Sequence, residues 1–349
     1  MHAIRHSRSI RTTAIDRRSS LAWLGLAAGV LAGTAAAVAW QTRQAERANP
    51  PEGRFIEVDG IRLHYIDRGM GQPLVLLHGN GDMARDFDIA GVLDLAADKY
   101  RVIAFDRPGY GWSDRPHGKS WSPEDQADLI VHALQRLGID RPIVVGHSWG
   151  TLVALQLALR HRDAVQALVL MSGYYYPTVR LDVAWLSAPA IPLIGTLMRH
   201  TVSPLLSRLM WPAFMRRIFG PLPVPARFRR DFPVGMVLRP KQLQASATEA
   251  AMLIPAAARM RHRYGELTLP VVLLAGNRDR HVKTGVHTER LYRELPSARM
   301  LIATGAGHMV HYAAPEQVME AIDSVADADG EVSAVRGAAA LSSIGSVGV

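Results

Sequence analysis

From Ser19 to Thr42 the chain carries no charged residue, and the core of this stretch reads LAWLGLAAGVLAGTAAAVAW. A helix of about 20 residues rises roughly 30 Å, enough to cross the hydrocarbon core of a bilayer. The pattern therefore predicts one transmembrane or signal helix over 19–42. The polar residues 43–52, ending in Pro50-Pro51, read as a linker. Beyond them the apolar period shortens to that of strands. Phe55–Val58 and Ile61–Ile66 flank Asp59-Gly60, a strong hairpin turn signal. Fully apolar runs then recur at Pro73–Leu77, Arg101–Phe105, Pro142–Val145, Ala167–Met171, Pro270–Ala275 and Arg299–Ala303. Such runs suit strands covered on both faces.

Helical patterns such as Asp125–Leu137 and Gly150–Arg160 separate most of these runs. Strands alternating with helices imply right-handed crossovers and a mostly parallel sheet, here of eight strands in an α/β fold. One connection is abnormal, because almost a hundred residues separate Met171 from Pro270, far beyond an ordinary crossover. The apolar runs Ile191–Met198 and Thr248–Met260 inside it predict an inserted helical cap. The expected organisation is a basic segment over 1–18, the apolar helix, the linker, a core over 53–173 and 264–325, and the cap over 174–263. A small-residue tail over 326–349 is expected to be disordered. Asp327-Ala328-Asp329-Gly330 in that tail lacks the spaced ligands of a calcium loop.

The formal net charge is +9, which suggests nucleic acid until the charge is located. Five arginines against Asp16 sit in residues 1–18, and twelve arginines with Lys241 against Asp182, Asp231 and Glu249 sit in 175–263. The remainder is acidic. No nucleic-acid-binding motif accompanies the basic regions, so a membrane surface or an anionic substrate is the expected partner, and not nucleic acid. Arginines ahead of the apolar helix place the amino terminus in the cytoplasm and the rest outside it. The expected location is a single-pass anchor; Ala37-Val38-Ala39 offers the alternative, export after signal cleavage. There is no cysteine, which excludes disulfides and a thiolate nucleophile.

Candidate chemistry centres on Gly146-His147-Ser148-Trp149-Gly150. About one chain of this length in ten contains Gly-x-Ser-x-Gly by chance. Here an apolar strand runs directly into it and a helix-forming sequence runs directly out. A sharp strand-to-helix turn leaves no room for side chains at the two glycines and strains the serine between them. The helix amino terminus offers free N–H groups where negative charge develops.

The pentapeptide resembles the nucleophile elbow of the α/β-hydrolase superfamily. Three further stretches carry the resemblance, which runs from about Arg54 to Val325 outside the cap. His78-Gly79-Asn80-Gly81 is similar to the oxyanion loop. Phe105-Asp106-Arg107-Pro108-Gly109-Tyr110-Gly111-Trp112-Ser113 is similar to the loop after the fourth strand. Gly276-Asn277-Arg278-Asp279 and Gly305-Ala306-Gly307-His308 are similar to the acid and histidine loops. The resemblance implies a serine hydrolase with Ser148 as nucleophile, His308 as base and Asp279 as orienting acid, in the chain order this fold uses. The backbone N–H groups of Asn80 and Trp149 would form the oxyanion hole. Asp279 competes with its reading as an exposed turn residue between arginines, and His308 competes with His311. His147 and His78 are expected to pack and support their loops. No metal or cofactor is expected, since Arg261-His262-Arg263 repels cations and no other histidine pair has a third ligand.

Asn80 and Trp149 also match the halide cradle of similar haloalkane dehalogenases, whose nucleophile is aspartate. Serine cannot form the alkyl-ester intermediate that dehalogenases and epoxide hydrolases go on to hydrolyse. The resemblance to proline iminopeptidases in Gly-x-Ser-Trp-Gly stops there, because their His-Gly-Gly-Pro-Gly loop is missing. Carboxylic ester hydrolysis of a small-molecule acyl or ester substrate is the expectation. Carbon–carbon bond hydrolysis or perhydrolysis on the same frame is the alternative, and a non-catalytic membrane-tethered binding protein is the alternative of another class.

Overall fold

The computed structural model describes residues 17–116 and 118–326. Most of the basic segment 1–18, and the tail after residue 326 with its Asp-Ala-Asp-Gly, lie outside them. Eight strands form one sheet: β1 (Arg54–Val58), β2 (Ile61–Arg68), β3 (Gln72–Leu77), β4 (Tyr100–Phe105), β5 (Ile143–His147), β6 (Ala167–Met171), β7 (Val271–Gly276) and β8 (Arg299–Ala303). Their order is β1-β2-β4-β3-β5-β6-β7-β8. The β1–β2 and β2–β4 pairs are antiparallel, and every other pair is parallel.

The apolar runs become strands for the reason their composition suggests. Each of the five residues of β5 and of β6 is buried, and an apolar core lies on each face of the sheet. The helices Pro123–Arg136 and Trp149–Arg160 cover one face, the first opened by a capping box at Ser122 and Asp125. Helices Arg85–Ala90 and Val92–Ala97 and a helix over 315–326 cover the other. The loops after β3, β5, β7 and β8 therefore emerge together at the carboxyl edge, where open parallel sheets place their sites.

The insertion between β6 and β7 is helical: Leu181–Leu186, Ile194–His200, Val202–Phe219, Ala226–Asp231, Val234–Val237 and Pro240–Met260. Apolar clusters join it to the core, for example Met83, Ile89 and Met309 with Ile218, Phe219 and Phe228, and a buried polar clamp adds to them. The Arg107 guanidinium, fully buried, gives Nε–H to the His78 carbonyl at 2.8 Å and Nη2–H to the Gly79 carbonyl at 2.9 Å. Its remaining donors meet Gln126 Oε1 and both oxygens of Glu249, on the cap helix Pro240–Met260. Tyr110 O–H and Gln126 Nε2–H complete the Glu249 carboxylate at 2.7 and 3.0 Å. All five guanidinium donors are thus used, as burial of a charge demands.

The amino-terminal helix departs from the sequence pattern. It spans Arg17–Ala48, so the expected linker over 43–52 is helical for its first half. The reason is tertiary. Ala45 is buried in an apolar cluster with cap residues, and Arg239 of the cap pairs with Glu46 at 2.9 Å. The helix stops short of Pro50-Pro51, and Asn49 Nδ2–H closes its end on the Ala45 carbonyl at 2.9 Å. Its stretch Ser20–Ala48 is long and apolar enough to cross a membrane.

Glu249→Ala leaves the buried Arg107 charge uncompensated, and unfolding of the protein should become easier by about 3–5 kcal/mol in a denaturant titration. Removal of the exposed Arg162–Glu266 pair by Arg162→Ala, with side chains 56% and 38% exposed, should cost under about 1 kcal/mol in the same denaturant titration.

Candidate active site

At the end of β5 the chain reverses into the helix Trp149–Arg160 through Ser148, held at φ 51° and ψ −116°. This lies outside the ordinary regions for a residue with a Cβ. The two flanking glycines permit it. A methyl group on Gly146 would sit 2.7 Å from the Gly150 carbonyl oxygen, and one on Gly150 would sit 2.8 Å from the His78 carbonyl oxygen. The Ser148 N–H is held by the Met171 carbonyl of β6 at 2.9 Å.

The reversal presents Oγ of Ser148 to His308, with Oγ and Nε2 3.0 Å apart. His308 follows β8, and its Nδ1 is 2.8 Å from Oδ2 of Asp279, which follows β7. The other Asp279 oxygen accepts the N–H groups of His281 at 2.7 Å and Val282 at 2.9 Å. Burial pushes the Asp279 carboxyl up, but the charge and hydrogen bond of His308 with those N–H groups more than offset it. The carboxyl ends below its ordinary 3.8. So Asp279 is a buried acceptor rather than an exposed turn residue. His311, the rival histidine, is turned away and pairs with the buried Asp86 at 2.7 Å.

The loop His78–Gly81 after β3 lies against the elbow. A methyl group on Gly79 would be 3.3 Å from the Ser148 Cβ. The Gly79 carbonyl is gripped from one side by Arg107 and by the His78 Nδ1–H at 2.8 Å. In a planar trans peptide the Asn80 N–H must point the opposite way. Trp149 stands in the first turn of its helix, where backbone N–H groups lack intrahelical acceptors. Asn80, Trp149, Ser148 and His308 all line one cavity of about 320 Å³ beneath the cap. The Asn80 side chain is engaged elsewhere: its Nδ2–H reaches the Ser246 carbonyl at 3.0 Å, and the Ser246 hydroxyl donates to its Oδ1. The cap helix thus holds the amide through its oxygen and one of its two N–H donors.

The supporting histidines are buried and neutral. Burial and the Arg107 charge bring His78 down to about 3, and its Nε2 accepts the Arg107 N–H at 3.0 Å. Burial and neighbouring histidines hold His147 well below its ordinary value, and its Nε2 lies 3.2 Å from the His308 carbonyl. Sequence reasoning missed His281, whose ring lies 4.8 Å from that of His308 and which burial and the His308 charge lower to about 3. It missed the Arg107–Glu249 clamp as well. The one available signal was Glu249 itself, one of three acids in an arginine-rich insertion and set among alanines. Among the described residues no group of three His, Asp or Glu side chains is placed to hold a metal ion.

Comparison with known proteins agrees with this frame. Residues 72–315 match the family described as alpha/beta hydrolase fold. Haloalkane dehalogenase 2 of Mycobacterium tuberculosis is 26% identical over 283 residues, which cover 78% of this chain and 94% of the relative. The 2-hydroxymuconate semialdehyde hydrolase of Pseudomonas sp. CF600 is 35% identical over 179 residues, covering 48% of this chain and 63% of the relative. Among solved structures, a membrane phospholipase A described as a bacterial virulence factor superposes with a TM-score of 0.59 at 23% identity. It covers 89% of this chain and 97% of its own. The relatives are hydrolases acting on different bonds, and this chain is a hydrolase belonging to the α/β-hydrolase fold family.

Proposed function

We propose that the protein hydrolyses carboxylic esters through an acyl-enzyme on Ser148. One observation carries the reading: the hydrogen-bonded chain from Ser148 Oγ through His308 to Asp279 at the floor of the cavity. A serine hydroxyl is a weak nucleophile near neutral pH and needs such a base. Oγ attacks the acyl carbonyl carbon as its proton passes to Nε2 of His308. The negative oxygen is received by the N–H groups of Trp149 and Asn80. The C–O bond to the alcohol breaks, and the alcohol leaves with the His308 proton. Water then attacks the acyl-enzyme, giving its proton to His308. The acid departs, and Ser148 recovers its proton. Asp279 holds the imidazole tautomer and stabilises the imidazolium without itself taking a proton.

The dehalogenase-like frame does not extend to dehalogenation, because the nucleophile is serine. A second reading keeps the same residues: the relative that hydrolyses 2-hydroxymuconate semialdehyde makes carbon–carbon bond hydrolysis the alternative. The apolar helix Ser20–Ala48 supports a single-pass anchor with the hydrolase outside the cytoplasm.

Ser148→Ala should lower hydrolysis of short p-nitrophenyl esters by about 10⁴-fold or more with unchanged circular dichroism. Turnover undiminished in that variant sinks the mechanism. A panel of esters and a vinylogous diketone separates the two bond types. The Asp279 carboxyl has a lowered folded value, so it contributes stability above its ordinary 3.8. That contribution should vanish as pH falls through the folded value, and Asp279→Asn should flatten the acid limb of thermal stability below about pH 4. An intact amino-terminal mass is expected of the mature protein; loss of residues 1–39 would remove the anchor.

A further inference from the structure

Much of the cap's outer surface is not built for water. Residues 183–198, VAWLSAPAIPLIGTLM, carry no charge. The helices over Leu181–Ala190 and Ile194–His200 are together apolar enough for a membrane span, yet they meet at 86° and cannot cross as one rod. They are not hidden in the protein either. Trp185 is 64% exposed, Leu193 86%, Ile194 62% and Leu197 51%. The next helix, Val202–Phe219, adds exposed Leu205 and Leu209. Folded soluble proteins rarely leave so large an apolar patch uncovered.

Two further observations say what covers it. The amino-terminal helix packs on the same cap elements, Ile194–His200, Val202–Phe219 and Val234–Val237. Its covered face, through Thr34, Ala35, Val38 and Ala45, begins within the apolar stretch that ends near Trp40. From Thr34 to Trp40 the helix rises about 9 Å. If those turns lie in a bilayer, the cap elements beside them lie at the depth of an interfacial helix, about 5–10 Å below the headgroups. The second observation is the cavity. Trp185, Leu186, Met210 and Phe214 both line the cavity that ends at Ser148 and stand 39% or more exposed. Its rim thus belongs to the apolar face. Exposed Arg208, Arg216 and Arg217 on the same helix suit anionic headgroups.

We propose that this face of the cap is seated in the bilayer that holds the amino-terminal helix, and that the cavity opens to lipid and takes a membrane-resident long-chain acyl ester. The substrate part of this rests on ester hydrolysis at Ser148, and the docking part rests on the anchor. The acyl chain passes from bilayer to cavity along apolar side chains without crossing water. The apolar rim then does the work of extraction, and the cap need only turn its mouth toward the membrane.

The chain has no cysteine, so single labelled variants of the full protein in nanodiscs decide the docking. A fluorophore at Leu197→Cys should be quenched by brominated phospholipid about threefold or more above one at Leu95→Cys, on the core helix Val92–Ala97. A label at Leu24→Cys reports the anchor. Quenching at 24 but not at 197 overturns the docking and leaves the anchor standing; quenching at neither removes both. Excimers between pyrene labels at 197, without lipid quenching, assign the face to a second copy of the chain and also overturn it. The double variant Ile194→Glu/Leu197→Glu, at positions outside the cavity, should turn over a long-chain phospholipid in nanodiscs about tenfold more slowly while a short soluble ester changes under about twofold. Equal rates on the lipid reject the lipid route. A wild type that hydrolyses neither ester removes the ester reading and with it the substrate, and the quenching result still decides the docking.

Discussion

Ser148 is held at φ 51° and ψ −116°, a conformation that costs a residue with a Cβ about 1–3 kcal/mol, and its neighbours keep it there. Backbone from β3 and from the following helix packs against the two glycines so closely that no side chain fits, and β6 takes the serine N–H. The turn fixes three things together. It sets the direction of Oγ, starts a helix with Trp149 in its first turn, and brings the loop after β3 against Ser148. Because β5 lies between β3 and β6, with β7 and β8 beyond, the loop after β3 and the loops carrying Asp279 and His308 reach it from opposite sides.

Two carboxylates couple the rest of the molecule to this frame. Glu249 joins the cap to the loop after β3 through Arg107, and Glu46 joins the amino-terminal helix to the cap through Arg239. The first pair is buried, while Glu46 stays 38% exposed against a buried Arg239. Pairs of this kind add little net stability relative to apolar packing, but a buried guanidinium has few geometries that satisfy all its donors. Their effect here is to fix register between pieces far apart in sequence. The insertion's arginine excess therefore divides by role. Arg239 is buried and paired, while Arg208, Arg216 and Arg217 remain on the surface.

β3 to β7 were legible as apolar runs covered on both sides, β1 and β2 as alternating runs about Asp59-Gly60, and β8 as a further apolar run at the sheet's edge; the boundaries of all eight move by only a residue or two. The elbow was legible because its glycines answer a steric demand that leaves a trace in the sequence. His308 could be preferred to His311 by the glycine-rich turn before it, and the Asp86 partner of His311 accounts for the other. What escaped has no local trace. Arg107 stood in a quoted motif without a role, since its carboxylate partner lies 142 positions away. The linker after the apolar helix reads as polar because Glu46 is charged; its partner Arg239, 193 residues on, turns that charge inward and lets the helix continue. The cap's outer face escaped too, because an apolar run does not say whether protein or lipid covers it.

The ties between Asn80 and Ser246 bear on how this lid could diversify. Lids over a conserved hydrolase core look like interchangeable parts, free to be exchanged for a new specificity while the chemistry stays put. Here the lid's longest helix grips the side chain of Asn80, and its one buried acid holds the arginine beneath the same peptide. On the proposed ester mechanism, in which the Asn80 N–H receives the negative oxygen, a lineage that replaced this lid would disturb its rate constant along with its selectivity. Lid and core are thereby bound to change together, by small paired steps rather than by wholesale substitution.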